Sequence, residues 1–395
     1  MFTCVAGEFR SMSSQSLPSE DLPLEDVRGH VRLACVPGIG SRLRRLLLER
    51  FGTPQRVFAA TPAEIASVGR IGPKLAAAIP ALADSAIADD VIALCRKRSV
   101  DILLEGRAGY PPLLSRIDDP PGLLFVRGAI LPQDSLSVAI VGARHATAYG
   151  LKVAEQLGAS LARAGYTVVS GLARGIDAAA HRGAMQAGGR TIAVLGSGVL
   201  NVYPPEHAEL ACEVIDSGAL ISELPPLTEP NVGTFPQRNR IVSGLSLGVV
   251  VVQAADRSGA LITARLATEQ GREVFAVPGA IDCRMSRGCH QLIRDGAKLV
   301  ASVDDILEEF GPLFETATTA DGRVVNSAAE LQLGDIEQQV LAACDALAGG
   351  ASKPVAIDDL VDSSGLAASQ VLATIGVLEM RRLIRRLPGS QIVRN

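Results

Sequence analysis

The sequence predicts an α/β protein built on a central doubly wound sheet of parallel strands, with one small helical domain before it and another after it. Three observations carry that prediction. The runs SVAIVGAR, YTVVSGLA, TIAVLGSG, LGVVVVQAA and REVFAVPGA are each apolar for four to six residues and end in small residues. Helical stretches at 149–164, 177–187 and 261–270 lie between them, and unalternating strands joined by helices belong to a sheet covered on both faces. Finally, 395 residues, 48% of them hydrophobic, suffice for two or three domains with a sizeable core.

Taken in order, residues 1–25 are rich in Ser, Pro and acids and read as a disordered leader. The opening MFTCVAGEFR lacks a charged segment followed by an apolar one, so it does not read as a secretory signal. Residues 26–100 form the first helical domain. There VPGIGSRLRRLL (36–47) and VGRIGPKLAAAI (68–79) share Val, Ile-Gly, a base and Leu at matching positions, 32 residues apart. In each copy a Gly-bearing turn precedes an amphipathic helix, an arrangement able to hold a phosphate on backbone amides and the helix dipole. The pair resembles a helix-hairpin-helix tandem; a plain helical bundle with Gly-capped turns is the alternative. The sheet domain takes 101–310, and the polar, acidic stretch 311–333 reads as a linker. Residues 334–395 read as three helices and a β-hairpin. The pattern L-x-x-x-S-G-L-x-x-S-x-V from Leu360 to Val371 gives them the look of a winged helix, a unit that binds duplex DNA or protein partners.

Charge is segregated along the chain. The net charge is −4, yet residues 28–74 hold nine bases against two acids, and 301–345 hold ten acids against one Arg. The last 21 residues hold five Arg and one Glu, so the total is a poor guide to partners. Trp is absent and aromatics make up 3%, which argues against an aromatic cage for a ligand. No apolar stretch reaches the roughly 18 residues of a membrane span, so no membrane partner is expected. Seven cysteines without a CxxC pair fit a reduced, soluble, cytoplasmic protein.

Ligands of a doubly wound sheet bind beyond the carboxyl ends of its strands. Here those ends are VGARHAT (141–147), SGLARGID (170–177), LGSGVLNVYP (195–204), AADRSGALIT (254–263) and PGAIDCRMSRGCHQLI (278–293). Nearly all are Gly-Ser loops opening into a helix, which lets backbone approach an anion, and two of them add Arg144 and Arg174. The anion is not a dinucleotide: no GxGxxG follows a strand, and no acid ends the second strand to hold a ribose. GxxxxGK[ST], HExxH and GxSxG are also absent, so no cofactor, metal or catalytic nucleophile is expected. Cys283, Cys289 and His290 crowd one loop without a fourth ligand, a poor zinc site. Asp177 and His181 read as a helix-terminal acid and a histidine bonded back across one turn, and Tyr203-Pro204-Pro205 as a loop that starts a helix. FPQRNRIVSGLS (235–246) is harder to place. Arg238, Asn239 and Arg240 follow Phe235 with no acid nearby, unlike a solvated helix, and a core helix is not expected to carry two arginines.

The segments AIVGAR, VVSGLARGIDAAAH, TIAVLGSGVLNVYP, SELPP, FPQRNRIVSGLS, SGALITARLATEQGREVFAVPG and LIRDGA, in this order over residues 110–301, closely resemble the DprA family, also called Smf or DNA-processing protein A. The resemblance implies a Rossmann-like sheet domain, an N-terminal helical domain and a C-terminal winged helix. It implies a cytoplasmic, non-enzymatic homodimer, paired through the α/β domain, that binds single-stranded DNA and loads RecA recombinase onto it during natural transformation. The implied groove uses Gly142, Ala143 and Arg144 in one loop, Ser170, Gly171 and Arg174 in the next, and Gly196 and Ser197 in a third. Phe235 would offer a stacking face, Arg238 and Arg240 charge, and Asn239 a polar contact. Two positions depart from the family pattern: Gln253 stands where Glu is usual, and His290 where Asn is usual. A competing reading is a nucleotide-handling enzyme of the lysine-decarboxylase-like phosphoribohydrolase type, whose PGGxGTxxE loop carries a catalytic Glu; SGALITARL here has no such acid. A transcription regulator acting through the winged helix would need a duplex preference and a small-molecule effector.

Overall fold

The computed structural model describes residues 24–310, 317–318, 324–325, 334–348, 353–380, 383–387 and 389–394. The leader expected over 1–25 lies outside them except for its last two residues, which open the first helix. The chain divides into two units, Met1–Ile92 and Ala93–Asn395.

The first unit contains α1 (Leu24–Ala34), α2 (Ser41–Phe51), α3 (Pro54–Ala59), α4 (Pro62–Ala66), α5 (Pro73–Ala81) and the start of α6 (Ile87–Lys97). The 32-residue sequence repeat is a repeat of hydrogen bonds. The amide of Ile39 donates to Val36 and that of Ile71 to Val68; the amide of Arg44 donates to Gly40 and that of Ala76 to Gly72. Gly38 and Arg70 occupy the same turn position with φ of 91° and 72°, so the second copy places an arginine where glycine is the easy choice. Both following helices start from an extended glycine, Gly40 or Gly72, that offers no side-chain cap. Leu33, Val36, Leu47, Ile65, Ile71 and Ile79 fill the core between the copies.

The second unit opens with β1 (Asp101–Leu104), β2 (Leu123–Gly128), β3 (Ser137–Val141), α7 (Ala148–Arg163), β4 (Thr167–Ser170), α8 (Ile176–Gln186) and β5 (Thr191–Val194). It continues with α9 (Ala208–Ser217), β6 (Gly218–Ser222), α10 (Thr234–Gly244), β7 (Gly248–Val251), α11 (Gly259–Glu269), β8 (Glu273–Ala276), α12 (Arg287–Arg294), β9 (Lys298–Leu299) and α13 (Asp304–Phe310). The strands form one sheet in the order β1-β2-β6-β5-β4-β3-β7-β8-β9. The strands from β6 to β9 in that order pair in parallel, whereas β1 and β2 pair antiparallel at the edge, so the sheet is mixed rather than wholly parallel. An edge strand needs no cover on both faces, and β1 accordingly lacks the fully apolar run that marks the inner strands.

Both faces of the inner strands are buried, which is why their sequences do not alternate. In β3, Ala139 and Val141 face a core shared with Ile241 and Val242 of α10, Ala260 and Ala264 of α11, and Cys289 of α12. Val138 and Ile140 face a second core with Leu157 and Leu161 of α7, Ala180 and Ala184 of α8, and Phe310 of α13. Each fully buried leucine of this kind contributes about 1.5–3 kcal/mol.

Within the stretch read as linker, the described residues are a short antiparallel pair, β10 (Ala317–Thr318) and β11 (Val324–Val325); the rest of 311–333 lies outside the described residues. The C-terminal region then gives α14 (Asp335–Ala348), β12 (Val355–Ala356), α15 (Ile357–Ser364), α16 (Ala368–Met380), β13 (Ile384–Leu387) and β14 (Gln391–Arg394). The expected hairpin is β13-β14, to which β12 adds a third strand. Gly365 ends α15 in the left-handed region with φ of 67°, turning the chain into α16. Among the described residues no single helix is long and apolar enough to cross a membrane.

Candidate nucleic-acid interface

Because β5, β4, β3, β7 and β8 are parallel neighbours, the loops that follow them gather along one edge of the sheet. The chain runs outward from β3 through β4 and β5, then returns to place β7 on the other side of β3. The strand order therefore reverses between β3 and β7, the place where this architecture opens a crevice.

At that edge Arg144 is exposed, and its guanidinium carbon lies 5.4 Å from the centroid of the Phe235 ring. Phe235, in the first turn of α10, is tilted against Tyr203 with centroids 5.6 Å apart. The ring also covers Gly196, where a Cβ would lie 2.8 Å from Cδ1, and Thr234 Oγ1 fixes the same turn by donating to the Gly196 carbonyl at 2.5 Å. Arg174 is exposed and pairs with Glu206, and Tyr203 shares in holding its guanidinium. These contacts raise the Arg174 pKa and hold the Glu206 carboxyl below its usual range. The result is a half-open row, Arg144, Phe235, Tyr203 and Arg174, in which two rings lie between two cations.

Beneath the row lies a buried polar floor. Arg238 is 7% exposed, and its guanidinium is pressed so closely on Gly171 that any Cβ there would lie 1.4 Å from Nη1. Its Nε has no partner, and burial lowers its pKa against the pull of the nearby Asp177. Asp177 is itself buried, which pushes its carboxyl up, while Arg238 and two amides oppose that shift. Those amides belong to Gly171 and Ala173, which donate to Asp177 Oδ2 at 3.1 and 3.4 Å. The anion nest that SGLARGID offers is thus filled from within by its own aspartate. Leu172, in the same turn, has φ of 57°, and the His207 ring bonds to its carbonyl oxygen at 2.8 Å.

Several expected roles change. His181 does not bond back across its turn to Asp177. Its Nδ1 lies 2.7 Å from Thr191 Oγ1, whose single hydrogen goes to the Val168 carbonyl, so the imidazole donates through Nδ1. Its Nε2 is then an acceptor without a partner, and burial, with His207 and Arg238 nearby, drives its pKa down to about 3. Arg240 faces inward, 8% exposed, bound to Glu223 and to Asp119 at 3.3 Å. A core helix does carry two arginines here, because Asp177 lies near one and Glu223 and Asp119 compensate the other. Asn239 is half-buried, donating to the Gly259 carbonyl at 3.4 Å. Ser170 donates to the Ile140 carbonyl and Ser197 to that of Asn201, so both hydroxyls hold loops in place. Gly142 and Ala143 form the first turn after β3, where the Ala143 carbonyl accepts the Ile176 amide at 3.3 Å.

The edge therefore unites Arg144, Arg174 and Phe235 at the surface, with Gly196, Gly171 and Arg238 below, and turns Arg240 away. Tyr203, Glu206, Glu223 and Asp119 were missed as partners. Tyr203-Pro204-Pro205 does start a helical turn at Pro205, as its sequence indicates, but an ion pair across two loops leaves no local pattern. In the last loop the Cys289 thiol approaches the Val251 carbonyl, and His290 bonds to the Gly279 carbonyl at 3.0 Å. Among the described residues no three His, Cys, Asp or Glu side chains are placed to share a metal ion.

Residues 101–311 match the family described as DNA recombination-mediator protein A. Residues 326–390 match the DprA winged helix domain, and 32–79 match a SAM-like helix-hairpin-helix tandem. The chain is 41% identical over 288 residues to Protein Smf of Escherichia coli (strain K12), covering 72% of this chain and 74% of that protein. It is 44% identical over 220 residues to the DNA processing protein DprA of Bacillus subtilis (strain 168), covering 55% and 74% respectively. The X-ray structure of DNA processing protein A from Streptococcus pneumoniae superimposes with a TM-score of 0.62 at 36% identity, over 71% of this chain and 95% of that one.

Proposed function

The chain belongs to the DNA recombination-mediator protein A family, and on that premise we propose that it binds single-stranded DNA along the strand-end row of Arg144, Phe235, Tyr203 and Arg174. The observation that carries this reading is the exposed Arg144 guanidinium stacked over the Phe235 ring. Single strands need both properties at once: cations that follow the phosphates without reading sequence, and ring faces that accept any base. A duplex hides its base faces and has little use for the rings. Gly142 and Ala143 bring backbone close to the strand; Gly196 and Gly171 make room for Phe235 and Arg238; Ser170, Ser197, Asn239 and Arg240 hold the loops, and Arg238 supplies charge from below. In the same reading the protein is a non-enzymatic mediator that shields incoming single strands and loads RecA recombinase onto them during transformation, as a cytoplasmic homodimer paired through its sheet domain. Family membership supports these roles. The competing enzyme reading needs an acid within SGALITARL (258–266), and that segment has none.

The winged helix enters this reading as a protein-contact module. Its third helix, α16, contains no Lys or Arg, and exposes Ala368, Ser369, Gln370, Leu372 and Ala373, a surface ill-suited to duplex phosphates. The test is fluorescence anisotropy with a labelled single-stranded oligonucleotide, competed by duplex and by mononucleotides. Salt-sensitive binding that duplex fails to displace supports the reading, whereas displacement by mononucleotides, or nucleotide hydrolysis, overturns it. Faster RecA assembly on the same strand tests the loading role.

A further inference from the structure

Gln253, two residues beyond the end of β7, supports both ends of the 142–147 loop that carries Arg144. It is 2% exposed. Its backbone carbonyl lies beneath the loop's first residue, where a Cβ on Gly142 would approach that oxygen to 3.0 Å. Its side chain grips the last residue: Oε1 accepts the Thr147 amide at 2.9 Å, and Nε2 donates to Thr147 Oγ1 at 2.8 Å. Thr147 Oγ1 in turn accepts the Gly150 amide at 3.2 Å and so caps α7. The contact leaves no spare room, since a Cβ on Gly150 would lie 2.3 Å from Gln253 Oε1.

We infer that Gln253 is a positioning residue for single-strand binding: through Thr147 it fixes the loop that holds Arg144 over Phe235, at the β3/β7 crevice. The inference rests on the single-strand reading of that edge. The geometry suits an amide better than an aliphatic side chain, because one planar group must accept at one atom and donate at the other. Losing the clamp frees the loop without removing any cation, so its cost should appear only while Arg144 is present to be misplaced.

A double-mutant cycle tests this on the full chain, with a labelled single-stranded oligonucleotide as probe. Arg144→Ala should weaken binding about tenfold, the loss of one charge-assisted contact. Gln253→Leu should weaken it about fivefold, with Gln253→Met as a second variant if the branched side chain impairs folding in a thermal melt. The double variant should bind within about twofold of Arg144→Ala alone, since the two act as one unit. Losses that multiply, or a Gln253 variant that binds like wild type while Arg144→Ala weakens, overturn the positioning role and leave the site intact. An Arg144→Ala protein that binds like wild type removes the site itself.

Discussion

The rim and the floor of the strand-end edge carry the same residue type to opposite ends. Arg144 and Arg174 stand at the surface of their loops, while Arg238 and Arg240 of α10 turn inward, 7% and 8% exposed. The difference lies in what surrounds each guanidinium. Burying a cation is costly unless an opposing charge accompanies it. Arg240 has Glu223 and Asp119, and Arg238 has the field of Asp177. Arg144 lies over a ring face at the surface, and Arg174 has a single exposed pair. A run of arginines in sequence therefore gives the charge available to a fold, while its acids elsewhere decide how much remains for a ligand.

If that division is real, floor variants lose stability and rim variants lose binding. The largest expected effect is on the floor. Asp177→Ala strands Arg238 and two buried amides, and should cost about 3–5 kcal/mol in urea denaturation; a stable variant that merely binds DNA poorly would erase the distinction. On the rim, Phe235→Ala should lose roughly 1–3 kcal/mol of single-strand affinity without changing the salt dependence, because stacking releases no counterions. An altered salt slope would show that the ring serves only to place Arg144.

Proton linkage gives a third, smaller test of the floor. The folded pKa of His181, about 3, lies below the ordinary histidine value of 6.5. The unfolded chain therefore binds the proton first, and the stability that His181 contributes is complete above pH 6.5 and lost as pH falls toward 3. Wild type should lose about 2 kcal/mol more than His181→Gln between pH 7 and pH 5 in denaturant titrations. Parallel curves would mean that the imidazole is not held neutral. The smallest effect is expected at Glu206→Gln, which releases Arg174 from its pair and should tighten single-strand binding slightly in anisotropy titrations. Weaker binding would mean that Glu206 orients Arg174 for the strand rather than competing with it.

Much of this architecture was legible. Five of the inner strands, β3, β4, β5, β7 and β8, announce themselves as unbroken apolar runs because both faces are covered, and the helices between them lie within a residue or two of their expected bounds. The tandem was legible because its repeat is built on matched backbone bonds. β6 escaped notice because GALIS follows α9 with no intervening turn, and β1 because an edge strand has a solvent side; β2 escaped although its LLFV run is buried. At the strand-end edge, Arg144 and Phe235 were each singled out from sequence, but the placement of the guanidinium over the ring was not. The inward turn of Arg240 depends on Glu223 and Asp119, 17 and 121 positions away in sequence, and no local pattern encodes such a pairing.

The most direct measurement compares Arg144→Ala with Arg240→Ala in single-strand anisotropy titrations across a range of salt. Arg144→Ala should bind about tenfold more weakly, with a salt slope shallower by about 0.7, the signature of one lost phosphate contact. Folded Arg240→Ala should bind within about twofold of wild type, while melting at a lower temperature. The reverse pattern, with Arg240→Ala losing affinity and slope while Arg144→Ala keeps both, would contradict the placement of the strand on the rim.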